Sequence, residues 1–191
     1  MLDIGTGDGR FVTAHAAKHP DKFFIGIDAN VKALERPSMK ATRKSAKGGL
    51  ANLMFVQAAV EDLPEEFAGV ADEIHIHFPW GSLLRAVATG DADMLRSLRG
   101  IAAPGCLLEI VIGIDPERDR AEIERLGITL LTPVTVHSYL IPKYISAGFE
   151  YVEARVMRRD EWKQLETSWA RRLSVGTDRT VTYILFRVPF K

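Results

Sequence analysis

The sequence predicts an α/β domain: a mostly parallel sheet with helices on both faces. Two patterns carry this. Short apolar runs alternate with amphipathic stretches along the whole chain, the signature of βαβ units. Several of the runs, such as 23–27 and 107–112, are nearly continuous Val, Ile, Leu, Phe and Ala, as strands buried on both faces require. At 191 residues the chain has room for one domain. With 47% hydrophobic and 26% charged residues it has the composition of a packed fold rather than of a disordered chain.

The elements follow in order. Residues 1–4 are an apolar strand stub running into Gly5-Thr6-Gly7-Asp8-Gly9. Residues 10–19 read as a helix, punctuated by Pro20 and Asp21. Residues 23–28 are a strand ending on an acid, and Asn30 is a suitable N-cap for a helix from Val31. Pro37 predicts a break in that helix, and Gly48-Gly49 its end. Strands are predicted over 53–58, 72–78 and 106–113, with a helix over 82–98 and a turn at Pro104-Gly105. Helices over 117–126, 137–147 and 160–173 and strands over 149–157 and 180–188 complete a seven-stranded pattern. No linker or internal repeat divides residues 1–191, so they read as a single domain.

Other classes are excluded or disfavoured. The longest apolar runs fall far short of the ~20 residues that span a bilayer. No signal peptide is visible, and a lone Cys106 excludes an internal disulfide and a multi-cysteine zinc site, so a cytoplasmic protein without membrane contact is expected. The zero net charge hides segregation. Residues 36–60 carry five bases and no acid, residues 61–125 carry fourteen acids against six bases, and residues 154–191 carry nine bases against four acids. Each block alone reads as a solvated face; together they suggest a polarised surface.

The glycine loop points to a nucleoside cofactor. Gly5 and Gly7 fit the start of a dinucleotide fingerprint, but the final position of that fingerprint is Arg10. Asp3 and Asp8 suit a cationic ligand better than a diphosphate, and S-adenosylmethionine (SAM) carries an ammonium and a sulfonium and no phosphate. Asp28 ends the second strand, where a carboxylate takes ribose hydroxyls. Ala58, Ala59 and Glu61, after the third strand, leave space for an adenine ring. Trp80 lies in a Phe-Pro-Trp-Gly segment at the end of the fourth strand, and Trp169 precedes two arginines. Trp162 reads as core. His75 and His77 share one face of a strand like a metal pair, but no third ligand is visible, and no metal site is predicted.

At this point the chain resembles a known family, the 16S rRNA (adenine-N1) methyltransferases that act on the aminoglycoside-binding A site. The resemblance rests on Leu2-Asp3-Ile4-Gly5-Thr6-Gly7-Asp8-Gly9-Arg10, Gly26-Ile27-Asp28, Lys47-Gly48-Gly49-Leu50-Ala51-Asn52, Phe78-Pro79-Trp80-Gly81-Ser82-Leu83-Leu84 and Ser168-Trp169-Ala170-Arg171-Arg172-Leu173. It implies a class I SAM-dependent methyltransferase with a Rossmann-like seven-stranded sheet, lacking the N-terminal hairpin that family members carry before the glycine loop. It implies SAM held by Asp3, Gly5, Gly7, Asp28, Ala59 and Glu61, with Ser82 and Thr167 lining the site. It implies Trp80 and Trp169 on the two faces of a flipped adenine, and Lys40, Arg43, Lys44, Arg172 and Arg179 on rRNA phosphates. The partner implied is the 30S subunit, approached by a monomer, and the consequence is aminoglycoside resistance. Thr177 and Asp178 stand where some relatives are basic. Adenine N1 has an in-plane lone pair, so no general base is expected. Two alternatives stay open on the sequence: a tRNA (guanine-N7) methyltransferase, although Pro79 is followed directly by Trp80 rather than by the Asp-Pro-Trp usual there, and a non-catalytic RNA-binding or ribosome-assembly protein on the same fold.

Overall fold

In the computed structural model, which describes residues 1–173 and 179–190, seven strands form one sheet in the order β3-β2-β1-β4-β5-β7-β6. The strands are β1 (Leu2–Ile4), β2 (Phe24–Asp28), β3 (Leu53–Gln57), β4 (Ala71–His77), β5 (Ala102–Ile112), β6 (Glu150–Met157) and β7 (Val181–Arg187). Pairings from β3 through β5 are parallel; β7 runs antiparallel to both β5 and β6, so the sheet is mixed. The strand order reverses between β1 and β4. That crevice, at the carboxyl ends of the strands, is where open α/β sheets bind ligands.

The helices are α1 (Arg10–Lys18), α2 (Val31–Ala41), α3 (Gly81–Thr89), α4 (Ala92–Ile101), α5 (Arg120–Leu126), α6 (Pro133–Thr135), α7 (Ile141–Ser146), α8 (Arg159–Trp162) and α9 (Ser168–Leu173). Pro37 does not break α2, which runs through it, capped by the Asn30 side chain on the Lys32 N–H. The predicted helix over 82–98 is two: Gly90, left-handed, ends α3, and the Asp91 carboxylate caps α4 by accepting from Asp93 and Met94. Pro104-Gly105 does not stop β5, which begins at Ala102. A π turn over Val136–Leu140 joins α6 to α7. The predicted helix over 160–173 is likewise split into α8 and α9.

β4 alternates, as the placing of His75 and His77 on one face of the strand in the sequence suggests. Its Ile74 and Ile76 enter the main core with Leu84, Leu95, Leu108 and Ile110. Its alternate residues, His75 and His77, rise from the opposite face, as the two-residue period of a strand requires. There they meet Phe11 of α1 and Glu109 of β5. A second, smaller core of Phe78, Val111, Met157, Trp162, Ala170 and Val181 fastens α8 and α9 against the carboxyl ends of β4 and β5. Trp162, 1% exposed, is core as the sequence suggests.

Candidate active site

The turn after β1 is built by glycines in the left-handed region, Gly5, Gly7 and Gly9. Gly5 and Thr6 donate their N–H groups to the Ile27 carbonyl at 2.8 and 3.0 Å, which ties the loop to β2. The Asp28 carboxylate completes the turn. Its Oδ2 accepts from the Gly7 N–H and its Oδ1 from the Asn30 N–H, both at 2.8 Å. A carboxylate has about four lone-pair positions. Two remain for a ligand's hydroxyls.

Above this loop lies a cavity of ≈ 590 Å³, the size of a cofactor site. All eight residues that the sequence assigns to the cofactor (Asp3, Gly5, Gly7, Asp28, Ala59, Glu61, Ser82 and Thr167) line it, together with Trp80, Trp169 and Arg172. Asp3 is 3% exposed and accepts from the Thr6 hydroxyl at 2.5 Å. Burial raises its pKa, so the carboxylate calls for a compensating cation. A cofactor with an ammonium group and a ribose meets both demands, and the residues present fit SAM.

The two tryptophans meet. Trp80 and Trp169 stack with ring centroids 5.6 Å apart and an interplanar angle of 21°. Phe78, φ 49°, is the one non-glycine residue in the left-handed region among the described residues. Such backbone costs about 1–3 kcal/mol and persists where the surroundings enforce it. Here the Phe78 N–H donates to the Val111 carbonyl at 2.7 Å and the ring packs edge-on against Trp162. The turn aims Trp80 out of the sheet, and Trp80 becomes the N-cap of α3. On the other side, the Thr167 hydroxyl caps α9 through the Ala170 N–H at 2.9 Å, and the Ser168 hydroxyl donates to Asp8 of the glycine loop at 2.5 Å. Lys18 of α1 pairs with Glu166 at 2.6 Å. The sequence assigned no role to Ser168 or Phe78 here, and it read Asp8 as favouring a cationic ligand rather than as the partner of Ser168; only tertiary packing reveals these contacts.

The basic residues divide. Lys40, Arg43 and Lys44 are exposed at the end of α2. Gly49 is buried where any side chain would run into the Arg43 carbonyl, which explains the glycine pair after this basic run. Arg172 lies over the Trp169 ring, 5.7 Å from its centroid. Arg179 departs from expectation. Its guanidinium is 13% exposed and forks onto both oxygens of Asp119, with a third bond to the Gly113 carbonyl at 3.3 Å. It anchors β7 to the loop after β5 instead of presenting a free cation. Thr177 and Asp178 lie outside the described residues.

Behind the cavity wall sits a charged cluster. His77 faces a Glu109 oxygen at 2.6 Å and His75 faces the same oxygen at 3.2 Å. Burial opposes charge on His75, but the bonds to Glu109 and Glu73 outweigh it and hold its pKa up at about 9. Burial likewise opposes ionisation of Glu109, and the two histidines outweigh it, holding that carboxyl well below its ordinary value. The sequence shows the histidine pair without its third member, because Glu109 comes from the neighbouring strand.

Comparison with known proteins agrees with this geometry. A family described as 16S rRNA (adenine(1408)-N(1))-methyltransferase matches residues 1–188. The chain is 37% identical over 180 residues to the protein of that name from Streptoalloteichus hindustanus, covering 94% of this chain and 82% of the relative. Among solved structures it is similar to the aminoglycoside resistance methyltransferase NpmB1, at 48% identity and TM-score 0.86, covering 98% of this chain and 85% of that one. It is also similar to a Catenulisporales acidiphilia 16S rRNA (adenine(1408)-N(1))-methyltransferase variant solved with SAM, at 36% identity and TM-score 0.89, covering 98% and 84%. A tRNA (guanine-N(7)-)-methyltransferase of Geobacillus kaustophilus matches only 41% of this chain and 36% of its own length. The family match spans nearly the whole chain, and the chain belongs to the 16S rRNA (adenine(1408)-N(1))-methyltransferase family.

Proposed function

We propose that this chain methylates N1 of the A-site adenine of 16S rRNA in the 30S subunit, using SAM, and that the product confers aminoglycoside resistance. The observation that carries the reading is the tryptophan pair over a cavity fitted to SAM. Bound there, SAM supplies an electrophilic methyl group on a sulfonium. Asp28 holds the ribose, Asp3 takes the ammonium, and Gly5, Gly7, Ala59, Glu61, Ser82 and Thr167 shape the remaining walls. Trp80 and Trp169 separate to accept an adenine extruded from the rRNA and stack on its two faces. Extrusion costs a few kcal/mol. Two aromatic contacts at ~1–3 kcal/mol each offset it. The N1 lone pair lies in the ring plane, so edge-on presentation is all that the chain must supply and no side chain has to remove a proton. Correct alignment of two reactants can itself contribute ~7–11 kcal/mol to catalysis.

Lys40, Arg43 and Lys44 on one flank and Arg172 beside the clamp contact rRNA phosphates, which adds affinity without base specificity. Arg179 joins them only by leaving Asp119. The enzyme works as a monomer in the cytoplasm, where 30S subunits are found; among the described residues no helix is long and apolar enough to cross a membrane. The test is incubation of 30S subunits with labelled SAM followed by primer extension. N1 methylation blocks base pairing, so reverse transcriptase must stop at the A-site adenine. Label without that stop would place the methyl group elsewhere.

A further inference from the structure

The histidine pair on β4 has a third member. Side chains two residues apart on a strand share a face. His75 and His77 therefore rise side by side, and the register sets Glu109 of β5 directly opposite His75. One donor atom from each of the three lies within 4.8 Å of the other two. His77 Nε2 and His75 Nδ1 converge on a single Glu109 oxygen, at 2.6 and 3.2 Å. Nitrogen and oxygen ligands held ~2.0–2.2 Å from a tetrahedral ion stand roughly 3.3 Å apart. Displacements of under about 1 Å bring the first two contacts to that spacing.

Two of the three outer atoms are braced in the manner of ligands; the third, the buried His77 Nδ1, has no partner among the described residues. His75 turns its Nε2 toward Glu73 at 3.5 Å, and Glu73 is paired in turn with Lys22. The second Glu109 oxygen accepts from the Tyr183 hydroxyl at 3.3 Å. Ligating imidazoles characteristically pass their second nitrogen to a carboxylate, which fixes ring and tautomer. Phe11 roofs the group, its ring centroid 4.5 Å from that of His77. Hydrogen bonding alone does not balance the cluster: one Glu109 oxygen serves two imidazoles.

We propose that His75, His77 and Glu109 bind one divalent ion of the zinc class, which pins β4 to β5 beneath α1. Two imidazoles and a carboxylate form a mixed set that suits Zn²⁺, whereas Mg²⁺ and Ca²⁺ take oxygen shells. The ion lies behind the cofactor cavity, of which His77 is a wall residue. Its role is to fix that wall, and its binding does not depend on the methyl-transfer reading.

The test uses the intact chain, stripped with a chelator, exposed to Zn²⁺ and passed over a desalting column. Metal is then counted by mass spectrometry, and Co²⁺ serves as a visible-absorption stand-in. The wild-type chain should retain one equivalent, and its Tm should rise by about 5–11 °C at a hundredfold excess over Kd. His77→Asn and Glu109→Gln should each weaken binding at least about 100-fold, and Glu73→Gln about 10–100-fold. If His77→Asn does not fold, Glu109→Gln and Glu73→Gln carry the comparison. His15 of α1 and His19, the residue that caps it, are an alternative pair for the ion. A His15→Ala/His19→Ala variant must therefore keep its zinc. Absence of retained zinc in the wild type, its loss from that surface variant, or its retention in the Glu109→Gln variant overturns the proposal.

Discussion

Replacing Asp28 separates the cofactor reading from a purely structural one. The carboxylate already accepts from Gly7 and Asn30 at 2.8 Å each, and its remaining lone pairs are assigned to the two ribose hydroxyls. A hydrogen bond to a charged group is worth about 1.5–3 kcal/mol. Asp28→Ala therefore removes roughly 3–6 kcal/mol of cofactor binding, which is about a 10²- to 10⁴-fold rise in Kd. Asp28→Asn is the sharper probe. Whichever way the amide turns, its NH₂ meets one of two backbone N–H groups that now face the carboxylate, and donor confronts donor. Asparagine should therefore behave nearly as badly as alanine and should also loosen the loop, although it matches aspartate in shape. The assay is SAM titration by calorimetry, with circular dichroism to confirm the sheet. If either variant binds SAM within about threefold of wild type with its fold intact, Asp28 does not hold the ribose and the account of this loop is wrong.

The other expectations concern the clamp, the basic flank, the buried acid and the inward arginine. Trp80→Ala and Trp169→Ala should each cut methylation of 30S subunits by at least about tenfold while SAM affinity stays unchanged, and phenylalanine should restore part of the rate, since stacking needs a π-face. Changing Lys40, Arg43 and Lys44 together to Glu should weaken 30S binding and flatten its salt dependence without affecting SAM titration; an unchanged salt slope would show a solvated face. Burial raises the pKa of Asp3 in the folded chain. The stability it contributes is then fully present below the unfolded pKa and is lost as pH rises through the folded one. SAM's ammonium favours the ionised form, so SAM affinity should fall as pH drops through the folded pKa, and Asp3→Asn should flatten that slope in calorimetry at several pH values. Arg179→Ala should leave Asp119, 9% exposed, without its counter-charge, costing about 3 kcal/mol and lowering Tm by roughly 6–12 °C in a melting experiment; an unchanged Tm would return Arg179 to the phosphate-binding set.

The parts of this fold legible in the sequence are those fixed by local chemistry. Apolar runs gave seven strands in their places. The glycines of the first turn and the acid at the end of β2 are short-range signals, and the cavity gathers them as expected. The boundaries that differ are set by tertiary structure. Pro37 lies inside α2 although its lost N–H argues for a break. Gly90 and Asp91 divide a stretch whose apolar period runs on without interruption. The reversal of β7 depends on where the preceding helices dock. The positive φ of Phe78 has no local signal at all; its bulky side chain argues against it, and only the bond to Val111 and the contact with Trp162 enforce it. For the same reason Glu109 was invisible as a partner of the histidines. A strand's period says which of its own residues share a face, but not which residue of a neighbouring strand stands opposite.

The meeting of Trp80 and Trp169 has an energetic consequence of its own. Stacked bases repeat every ~3.4 Å, so a base between two rings needs roughly 6.8 Å between them. The centroids stand 5.6 Å apart in a stacked pair, so the clamp must open to admit an adenine. Opening forfeits an aromatic pair worth about 0.5–1.5 kcal/mol. The adenine returns two contacts of ~1–3 kcal/mol each, so the exchange favours the inserted base, but by a margin smaller than the contacts alone suggest. Truncating one tryptophan removes a base contact and also the ring that competes for its partner. Each single loss is therefore softened by the pair that no longer has to be broken, and the two alanine substitutions together should cost more than the sum of the two alone. The small apolar core around Phe78 and Trp162, together with the Thr167 cap on α9, holds both halves of the clamp to one sheet edge. The self-stack thus covers one face of each ring, leaving Trp80 42% and Trp169 36% exposed, until a base arrives, at a cost that the base can overcome.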